Sequence, residues 1–280
     1  QPYRDKKRYA WILSLLVPCL VGFGPLLMVV TGDVLALWIP VFFFYCIAPL
    51  LDWLMGEDLS NPPESAVPAL DSDMYYRRIT YALVPVLWIA FNFSAWFVVH
   101  YDLPLHGMLA MVLITGSVGG FCINLGHELG HKKDALDRWL SKLALAPSAY
   151  GHFFVEHNRG HHKRVATPED PASARMGESF WAFLPRSVWG SLQSAWALEK
   201  ERLNKQGLSV WHHQNHNLQA WGLTLLLFGG LGVWLGWTVW PFLVLQAVYA
   251  ASMLEVVNYV EHYGLLRQRD ASGRYVRCEP

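Results

Sequence analysis

Long apolar stretches separated by short polar segments dominate the chain. Six of these stretches carry no Asp, Glu, Lys or Arg, and each has about the 20 residues that a helix needs to cross the hydrocarbon core of a bilayer. They are approximately residues 9–31, 34–51, 79–100, 107–126, 217–235 and 238–254. The pattern predicts an all-α, polytopic membrane protein with six transmembrane helices, because helices satisfy their own backbone hydrogen bonds in lipid.

Composition supports this interpretation and excludes several classes of protein. Hydrophobic residues make up 53% of the chain and charged residues only 16%, which is unusual for a water-soluble domain. The formal net charge is zero, so nothing indicates a nucleic-acid partner. The four cysteines form no C-x-x-C pair, which argues against a disulfide framework and against a thiolate metal site.

The basic residues predict the orientation in the membrane. With six spans, all 22 Lys and Arg residues fall on one side, and the three turns on the other side have none. Because Lys and Arg concentrate in cytoplasmic loops, we expect both termini to be cytoplasmic. Residues 131–216 then form a cytoplasmic cap, in which two segments, "LDRWLSKLALA" and "SFWAFLPRSVWGSLQSAWALEKERL", have helical periodicity.

Three histidine-containing motifs lie near the predicted cytoplasmic membrane face. "HELGH" has the H-E-x-x-H spacing of zinc proteases, "EHNRGHH" repeats the four-residue spacing and adds an adjacent histidine, and "NYVEHYG" follows the sixth span. Residues four apart share one face of a helix, whereas adjacent residues point about 100° apart and can serve different metals. The candidate metal ligands are His127, His131, His157, His161, His162 and His262.

The number of histidines bears on the choice of metal. Zinc takes four ligands, and a catalytic zinc keeps one position open, so six histidines exceed what a single zinc requires. Imidazole also suits iron, and two non-haem iron ions account best for the excess. An intramembrane zinc peptidase, with Glu128 as general base, and a non-catalytic metal-binding membrane protein remain as alternatives of another class.

Some polar residues near these motifs are candidates for a supporting role. A metal-bound imidazole usually donates its second ring nitrogen to a carboxylate or carbonyl. The candidates for this role are Glu128, Asp170, Glu255, Asn258 and Glu261. We interpret "WHHQNH", which contains His212, His213 and His216, as an interfacial segment before the fifth span.

The motifs "HELGHK", "GHFFVEHNRGHH" and "NYVEHYGLL", with the loop "GEDLSNPP", resemble the membrane alkane 1-monooxygenases. This family belongs to the wider group of histidine-box desaturases and hydroxylases. The histidine boxes alone would be shared with fatty-acid desaturases, whereas "NYVEHYGLL" is typical of the alkane and xylene oxidisers. The similarity runs through nearly the whole chain.

The resemblance implies a function and its partners. It implies O2-dependent terminal hydroxylation of alkanes to 1-alkanols at a histidine-ligated di-iron centre, with electrons from rubredoxin. The alkane would enter from the lipid bilayer, in a multi-pass protein of the bacterial inner membrane. A membrane fatty-acyl desaturase or hydroxylase is the alternative within the same chemistry. The family also carries a further H-x-x-H-H box downstream, so we expect the integral membrane catalytic domain of residues 1–280 to be incomplete at its C-terminus.

Overall fold

The computed structural model describes residues 3–58 and 61–276, and in this part of the chain helices are the regular secondary structure. Eight long helices are numbered in chain order. They are α1 (Leu20–Thr31), α2 (Val34–Met55), α3 (Met74–His100), α4 (Leu105–Gly130), α5 (Ala135–Leu145), α6 (Phe180–Asn204), α7 (His216–Leu235) and α8 (Trp240–His262). The shorter helical pieces are Ala10–Leu16, Glu64–Ala66, Val67–Ser72, Phe153–Val155, Glu156–His161, His162–Arg164 and Trp237–Val239.

Five helices among the described residues are long and apolar enough to cross a membrane, which confirms the predicted polytopic all-α fold. They are α2, α3, α4, α7 and the helix Trp237–His262, which includes α8. Their faces expose large apolar side chains, including Trp53, Ile89 and Val233, as expected of surfaces that meet lipid.

The first predicted span, residues 9–31, differs from the other five. It consists of two helices, Ala10–Leu16 and α1, which are bent by 55° at a short break and count as a sixth span only if taken together. Pro18 lies in the break, where its missing N–H and its ring interrupt a continuous helix.

The three predicted turns between spans coincide with helix ends. Gly32 and Gly236 follow α1 and α7 with φ angles of 73° and 83°, which a residue without a Cβ adopts readily. Helix α3 ends at His100, and α4 begins at Leu105. The two helices predicted in the cap are also present, as α5 and α6.

The described residues form two compact units. Unit 1 contains residues 1–118 and 228–246, and unit 2 contains residues 119–227 and 247–280. In unit 1, the backbone of α1 at Gly24 approaches Leu37 so closely that an added Cβ would lie 3.1 Å from the Leu37 Cα atom. Phe91 stacks on Phe228 with ring centroids 6.0 Å apart.

Unit 2 contains a buried ionic network around Glu199, a fully buried residue of α6. Its carboxylate accepts hydrogen bonds from Arg159 (2.5 Å), from Arg202 (2.7 and 2.8 Å) and from the backbone N–H of His216 (2.7 Å). Burial by itself raises the pKa of Glu199, but the bonds from Arg202 and the His216 amide bring it down to about 2. This network joins α6 to the start of α7 and to the segment that carries His157 and His161.

Candidate metal centre

The six predicted ligand histidines lie in unit 2 and come from three elements. His127 lies in the last turn of α4, His131 directly follows that helix, and His262 is the last residue of α8. The other three lie in the helical segment 153–164. Their imidazoles form two groups.

The first histidine group consists of His127, His131, His157 and His162. The Nε2 atoms of His127 and His131 are 3.1 Å apart, and those of His157 and His162 are 2.9 Å apart. Nitrogen atoms of His127, His131 and His157 all lie within 4.8 Å of one another. The ring centroids of His131 and His162 are 4.9 Å apart, so all four imidazoles converge.

These distances fit ligands of a shared metal ion. Metal–imidazole bonds of about 2.1 Å place two nitrogens at right angles on one metal about 3 Å apart. The His127–His131 and His157–His162 pairs both agree with this separation. The first histidine group therefore has the donor atoms and the spacing of a metal site.

The second histidine group consists of His161 and His262, whose ring centroids are 4.8 Å apart. Each has its Nδ1 atom engaged at 2.9 Å, in His161 with the Asp170 carboxylate and in His262 with the backbone carbonyl of Asn258. An Nδ1–H that donates to an oxygen fixes the tautomer, so each residue keeps an Nε2 lone pair for a metal.

A π-helical turn explains how neighbouring histidines separate into two groups. Residues Glu156–His161 form this turn, in which backbone hydrogen bonds join residues five apart. The Nε2 atom of His157 therefore lies beside that of His162, five residues later. The His157 ring also stacks on that of His161, with centroids 5.4 Å apart, and His161 in turn faces His262.

Burial favours the neutral imidazoles of His157 and His162. Burial and the neighbouring imidazoles, chiefly that of His127, lower the pKa of His157 to about 2. Burial and His131 also lower the pKa of His162. Because a metal binds the neutral imidazole, both residues are in the protonation state that binding requires.

Hydrogen bonds between the loop after His162 and the chain around the end of α8 hold the second group together. The Gly264 N–H donates to the Ala174 carbonyl at 2.9 Å, and the Arg267 N–H donates to the Ala166 carbonyl at 2.7 Å. The Tyr259 hydroxyl donates to the Glu178 carbonyl at 2.6 Å. The loop that follows His162 is thus bonded to the end of α8 and to the residues after it.

The five predicted supporting residues have different surroundings. Asp170 is buried and bonded to His161, and the carbonyl of Asn258 is bonded to His262. Burial alone would raise the pKa of Asp170, but the bond from His161 lowers it overall. Glu128 is exposed and forms an ion pair with Lys132 at 3.1 Å, and Glu261 is also exposed. Glu255 is buried and bonded to Tyr150 at 2.7 Å.

Sequence reasoning missed a buried polar pocket next to two of these histidines. It is lined by Tyr150, Phe153, Glu156, His157, His161, Ala172, Ser191, Glu255 and Asn258. Glu156 accepts a hydrogen bond from Arg164 at 2.7 Å; burial raises the pKa of its carboxyl, and Arg164 offsets part of that effect. The motif "EHNRGHH" begins at Glu156, and Glu255 and Asn258 were predicted supporting residues, but no sequence pattern indicated that Tyr150 lies beside them.

His216, predicted as part of an interfacial segment, contacts a buried lysine. Its Nδ1 atom lies 3.0 Å from Nζ of Lys142, a residue of α5 that is only 2% exposed. The Lys142 ammonium also donates to Gln219 at 2.5 Å and lies over the ring of Trp139. Burial lowers the pKa of Lys142 to about 8. His216 thus belongs to a buried polar network, which its tryptophan- and histidine-rich neighbours in the sequence did not indicate.

Comparison with known proteins identifies the family. The model of the fatty acid desaturase family matches residues 102–278. Alkane 1-monooxygenase 1 of Alcanivorax borkumensis is 45% identical over 278 residues, which cover 99% of this chain and 69% of that protein. Alkane 1-monooxygenase of Pseudomonas putida is 44% identical over 284 residues, with the same coverage.

A more distant relative shares part of the chain. The xylene/toluene monooxygenase hydroxylase component of Pseudomonas putida is 28% identical over 146 residues, which cover 52% of this chain and 40% of that protein. The alignments with the two relatives named alkane 1-monooxygenase, in contrast, cover 99% of this chain, at 45% and 44% identity. The chain therefore belongs to the alkane 1-monooxygenases, within the fatty acid desaturase family.

Proposed function

We propose that this protein hydroxylates the terminal carbon of alkanes with O2 and yields 1-alkanols. The relatives named alkane 1-monooxygenase support a monooxygenase activity, with an alkane and O2 as substrates. The observation that carries the proposal is the convergence of six imidazoles from three elements of unit 2. Such a donor set binds a redox metal, which the cleavage of an unactivated C–H bond requires.

We propose that the six histidines ligate two non-haem iron ions. His127, His131, His157 and His162 would hold one iron, and His161 and His262 would contribute to the other. When bound, the irons would pass electrons from the donor to O2 and would supply the oxidising power that attacks the C–H bond. The number of imidazoles supports iron, since a catalytic zinc needs only three protein ligands.

The protein's own residues keep this site ready to bind metal. Asp170 and the Asn258 carbonyl fix the ring orientations of His161 and His262 through their Nδ1 atoms. The low pKa of His157 prevents protonation of its imidazole at any physiological pH. These interactions preorganise the donors, so that little conformational freedom is lost when the metal binds.

We propose rubredoxin as the electron donor. Five basic residues near the histidines are candidates for docking it, namely Lys132, Lys133, Arg159, Lys163 and Arg164. Three of them have internal partners, of which Lys132 pairs with Glu128. Arg159 bonds to Glu199, and Arg164 bonds to Glu156 and Ser194. Lys133 and Lys163 are exposed, and they are the better candidates for binding an acidic carrier.

We propose that the protein is a multi-pass protein of the bacterial inner membrane with both termini cytoplasmic. The clustering of all 22 basic residues on one side of the predicted spans supports this orientation. In this arrangement, residues 1–280 belong to one catalytic domain, and residues 131–216 form its cytoplasmic cap. An alkane dissolved in the bilayer would then reach the site laterally.

A fatty-acyl desaturase or hydroxylase is the second candidate, because the matching family model describes fatty acid desaturases. The intramembrane zinc peptidase is less well supported. Four imidazoles converge around the H-E-x-x-H motif, and Glu128, the required base, is exposed and paired with Lys132.

Metal and product analysis of the full-length protein tests the proposal. The detergent-purified protein is analysed for iron and zinc, and it is then incubated with reduced rubredoxin, O2 and either an alkane or an acyl lipid. We expect about two irons per chain and a 1-alkanol from the alkane. Stoichiometric zinc without iron, or oxidation of the acyl lipid alone, would exclude the proposed function.

A further inference from the structure

Helix α6 has two contrasting ridges, each made of every fourth residue. The buried ridge consists of Phe183, Ser187, Ser191, Ala195, Glu199 and Leu203. The exposed ridge, which we call the tryptophan ridge, consists of Trp181, Pro185, Trp189, Gln193 and Ala197. Residues four apart are neighbours on a helix surface, so each set forms a continuous strip along the helix.

The tryptophan ridge exposes a large apolar surface and no charge. Trp181 is 79% exposed and Trp189 is 61% exposed. Between positions 179 and 198 the one charged residue is Arg186, and its guanidinium is half-buried and bonded to the Glu178 carboxylate at 2.7 Å. A helix face in water usually carries charged side chains, and exposed apolar patches mark surfaces that contact a protein or a membrane.

Both halves of α6 contact membrane-spanning helices. In the C-terminal half, Trp196 stacks on Trp221 of α7 with ring centroids 5.9 Å apart. At the N-terminal end, Phe180 packs edge-on against Tyr259 of α8 with centroids 5.7 Å apart. Trp221 lies in the second turn of α7, and Tyr259 lies in the last turn of α8. Helix α6 therefore connects the start of one span to the end of another.

These contacts fix the level of α6 relative to the bilayer. Helices α7 and α8 are consecutive spans that cross the bilayer in opposite directions, so the start of α7 and the end of α8 lie at the same membrane face. Since α6 contacts both, it lies along this face. Beside Tyr259, Val260 of α8 is 72% exposed, as expected of a residue that faces lipid. The tryptophan ridge thus continues the lipid-facing surface of the spans.

We propose that α6 is an interfacial helix whose tryptophan ridge inserts into the headgroup region of the bilayer, with lipid as its partner. Tryptophan favours this region, because its ring is apolar while its indole N–H can donate to water or headgroup oxygens. The uncharged ridge offers no electrostatic complement to an acidic carrier protein. This inference goes beyond the proposed reaction and does not depend on it.

The other side of α6 contacts the histidine-bearing segment 153–164. Arg159 of that segment donates to Glu199 at 2.5 Å, and Arg164 donates to the Ser194 hydroxyl at 2.5 Å. Helix α6 therefore lies between lipid and the segment that carries His157, His161 and His162. The bilayer supports this segment through α6.

Nitroxide labels on single cysteines test the proposal in the full-length protein, held in phosphatidylcholine nanodiscs at one copy per disc. The accessible native cysteines are first replaced by alanine, whereas Cys122 is buried and is retained. Gln193→Cys and Ala197→Cys place labels on the tryptophan ridge. Gln206→Cys, in the exposed turn after α6, is the control in water, and Leu225→Cys, on an exposed position of α7, is the control in lipid.

Collision rates with two relaxing agents report the surroundings of each label. Oxygen concentrates in lipid, and a charged nickel chelate stays in water. We expect the ridge labels to lose nickel collisions and gain oxygen collisions relative to the Gln206 label, with values between those of the two controls. Nickel collisions as frequent as at Gln206 would overturn the proposal. Loss of both kinds of collision would also overturn it, because protein would then cover the ridge.

Two further measurements separate lipid from a protein partner. With the label at Gln193, Trp189→Asp should restore nickel collisions, because a charge leaves the headgroup region for water, whereas Trp189→Phe should not. An unchanged signal in Trp189→Asp would contradict insertion of the ridge. Adding rubredoxin should leave the ridge labels unaffected. Labels that lie in water until rubredoxin shields them would show a protein docking surface instead.

Discussion

In unit 1, the described buried polar side chains are three hydroxyls and one amide, those of Ser94, Thr115, Ser117 and Gln246. Unit 2, in contrast, buries many titratable side chains. They include Asp137, Lys142, His152, Glu156, His161, Asp170, Glu199 and Glu255. Both units contain apolar membrane-type helices, so the difference lies in what else each unit buries.

This difference predicts that the two units tolerate substitutions to different extents. Apolar packing tolerates exchanges among side chains of similar volume, because no directional bond is lost. Buried charges need particular partners at particular distances, and the loss of one partner leaves another uncompensated. Unit 2 should therefore respond strongly to single polar substitutions that unit 1 tolerates, and the following predictions test this contrast.

The largest effect is expected from the substitution His157→Ala in unit 2. His157 lies within 4.8 Å of both His127 and His131, so its loss removes a central donor of the first histidine group. We expect metal content to fall by at least half and alkane turnover to disappear. Metal analysis and product detection measure these effects.

His213→Ala is the matched control for this prediction, because His213 is exposed and outside both histidine groups. It should retain metal and activity. Full alkane turnover in His157→Ala would show that the ligand assignment is wrong.

The second prediction concerns stability and the substitution Glu199→Gln. This change removes the charge that Arg159 and Arg202 share, and it leaves two guanidinium groups competing for a neutral amide. We expect a loss of about 3 kcal/mol in the free energy of unfolding, seen as a lower melting temperature in detergent. Glu201→Gln removes an exposed ion pair with Lys205 and should leave the melting temperature unchanged.

The third prediction uses the acid titration of the same residue. The pKa of Glu199 is about 2 in the folded protein and near 4.5 in an unfolded chain. Its stabilising contribution is therefore complete above pH 4.5 and is lost as the pH falls towards 2. The difference in melting temperature between wild type and Glu199→Gln should narrow when the pH is lowered from 5 to 3. A constant difference would mean that the charge of Glu199 is not responsible.

The smallest effect is expected in unit 1, from Ser117→Ala. The Ser117 hydroxyl lies 2.7 Å from the Tyr45 hydroxyl and also donates to the Leu113 carbonyl. Hydrogen bonds between membrane helices contribute about 0.6 kcal/mol on average, so only a slight decrease in melting temperature is expected. Ser94→Ala is the control, since that hydroxyl bonds to Ala90 of its own helix. A decrease as large as that of Glu199→Gln would remove the contrast between the units.

The sequence predicted those features that depend on local pattern. Uncharged apolar length marked five of the spans, and glycines at positions 32 and 236 marked two turns. The six candidate ligands were found because the residue type and the spacing are themselves unusual. Pro18 could have indicated the bend in the first span, but prolines also lie inside helices of this protein, as Pro85 does in α3.

Features that depend on distant contacts were not predictable. The α-helical spacing of His157 and His161 predicted that both share one helix face, whereas in the π-helical turn His157 lies beside His162 and His161 faces His262. The contact of His216 with Lys142 could not be predicted, because Lys142 lies 74 residues earlier in the chain. The pocket at Glu255 likewise depends on Tyr150, which comes from a separate segment.

The pairing of His161 with His262 has a consequence for the order of biosynthesis. The four imidazoles of the first group have all been synthesised once the ribosome has passed His162, whereas the second group must wait for about a hundred further residues. During that interval, two more apolar helices, α7 and α8, have to be made and inserted. At that stage the nascent chain contains all four imidazoles of the first group but only His161 of the second, so a chain that stops before His262 lacks the residues to complete the second group.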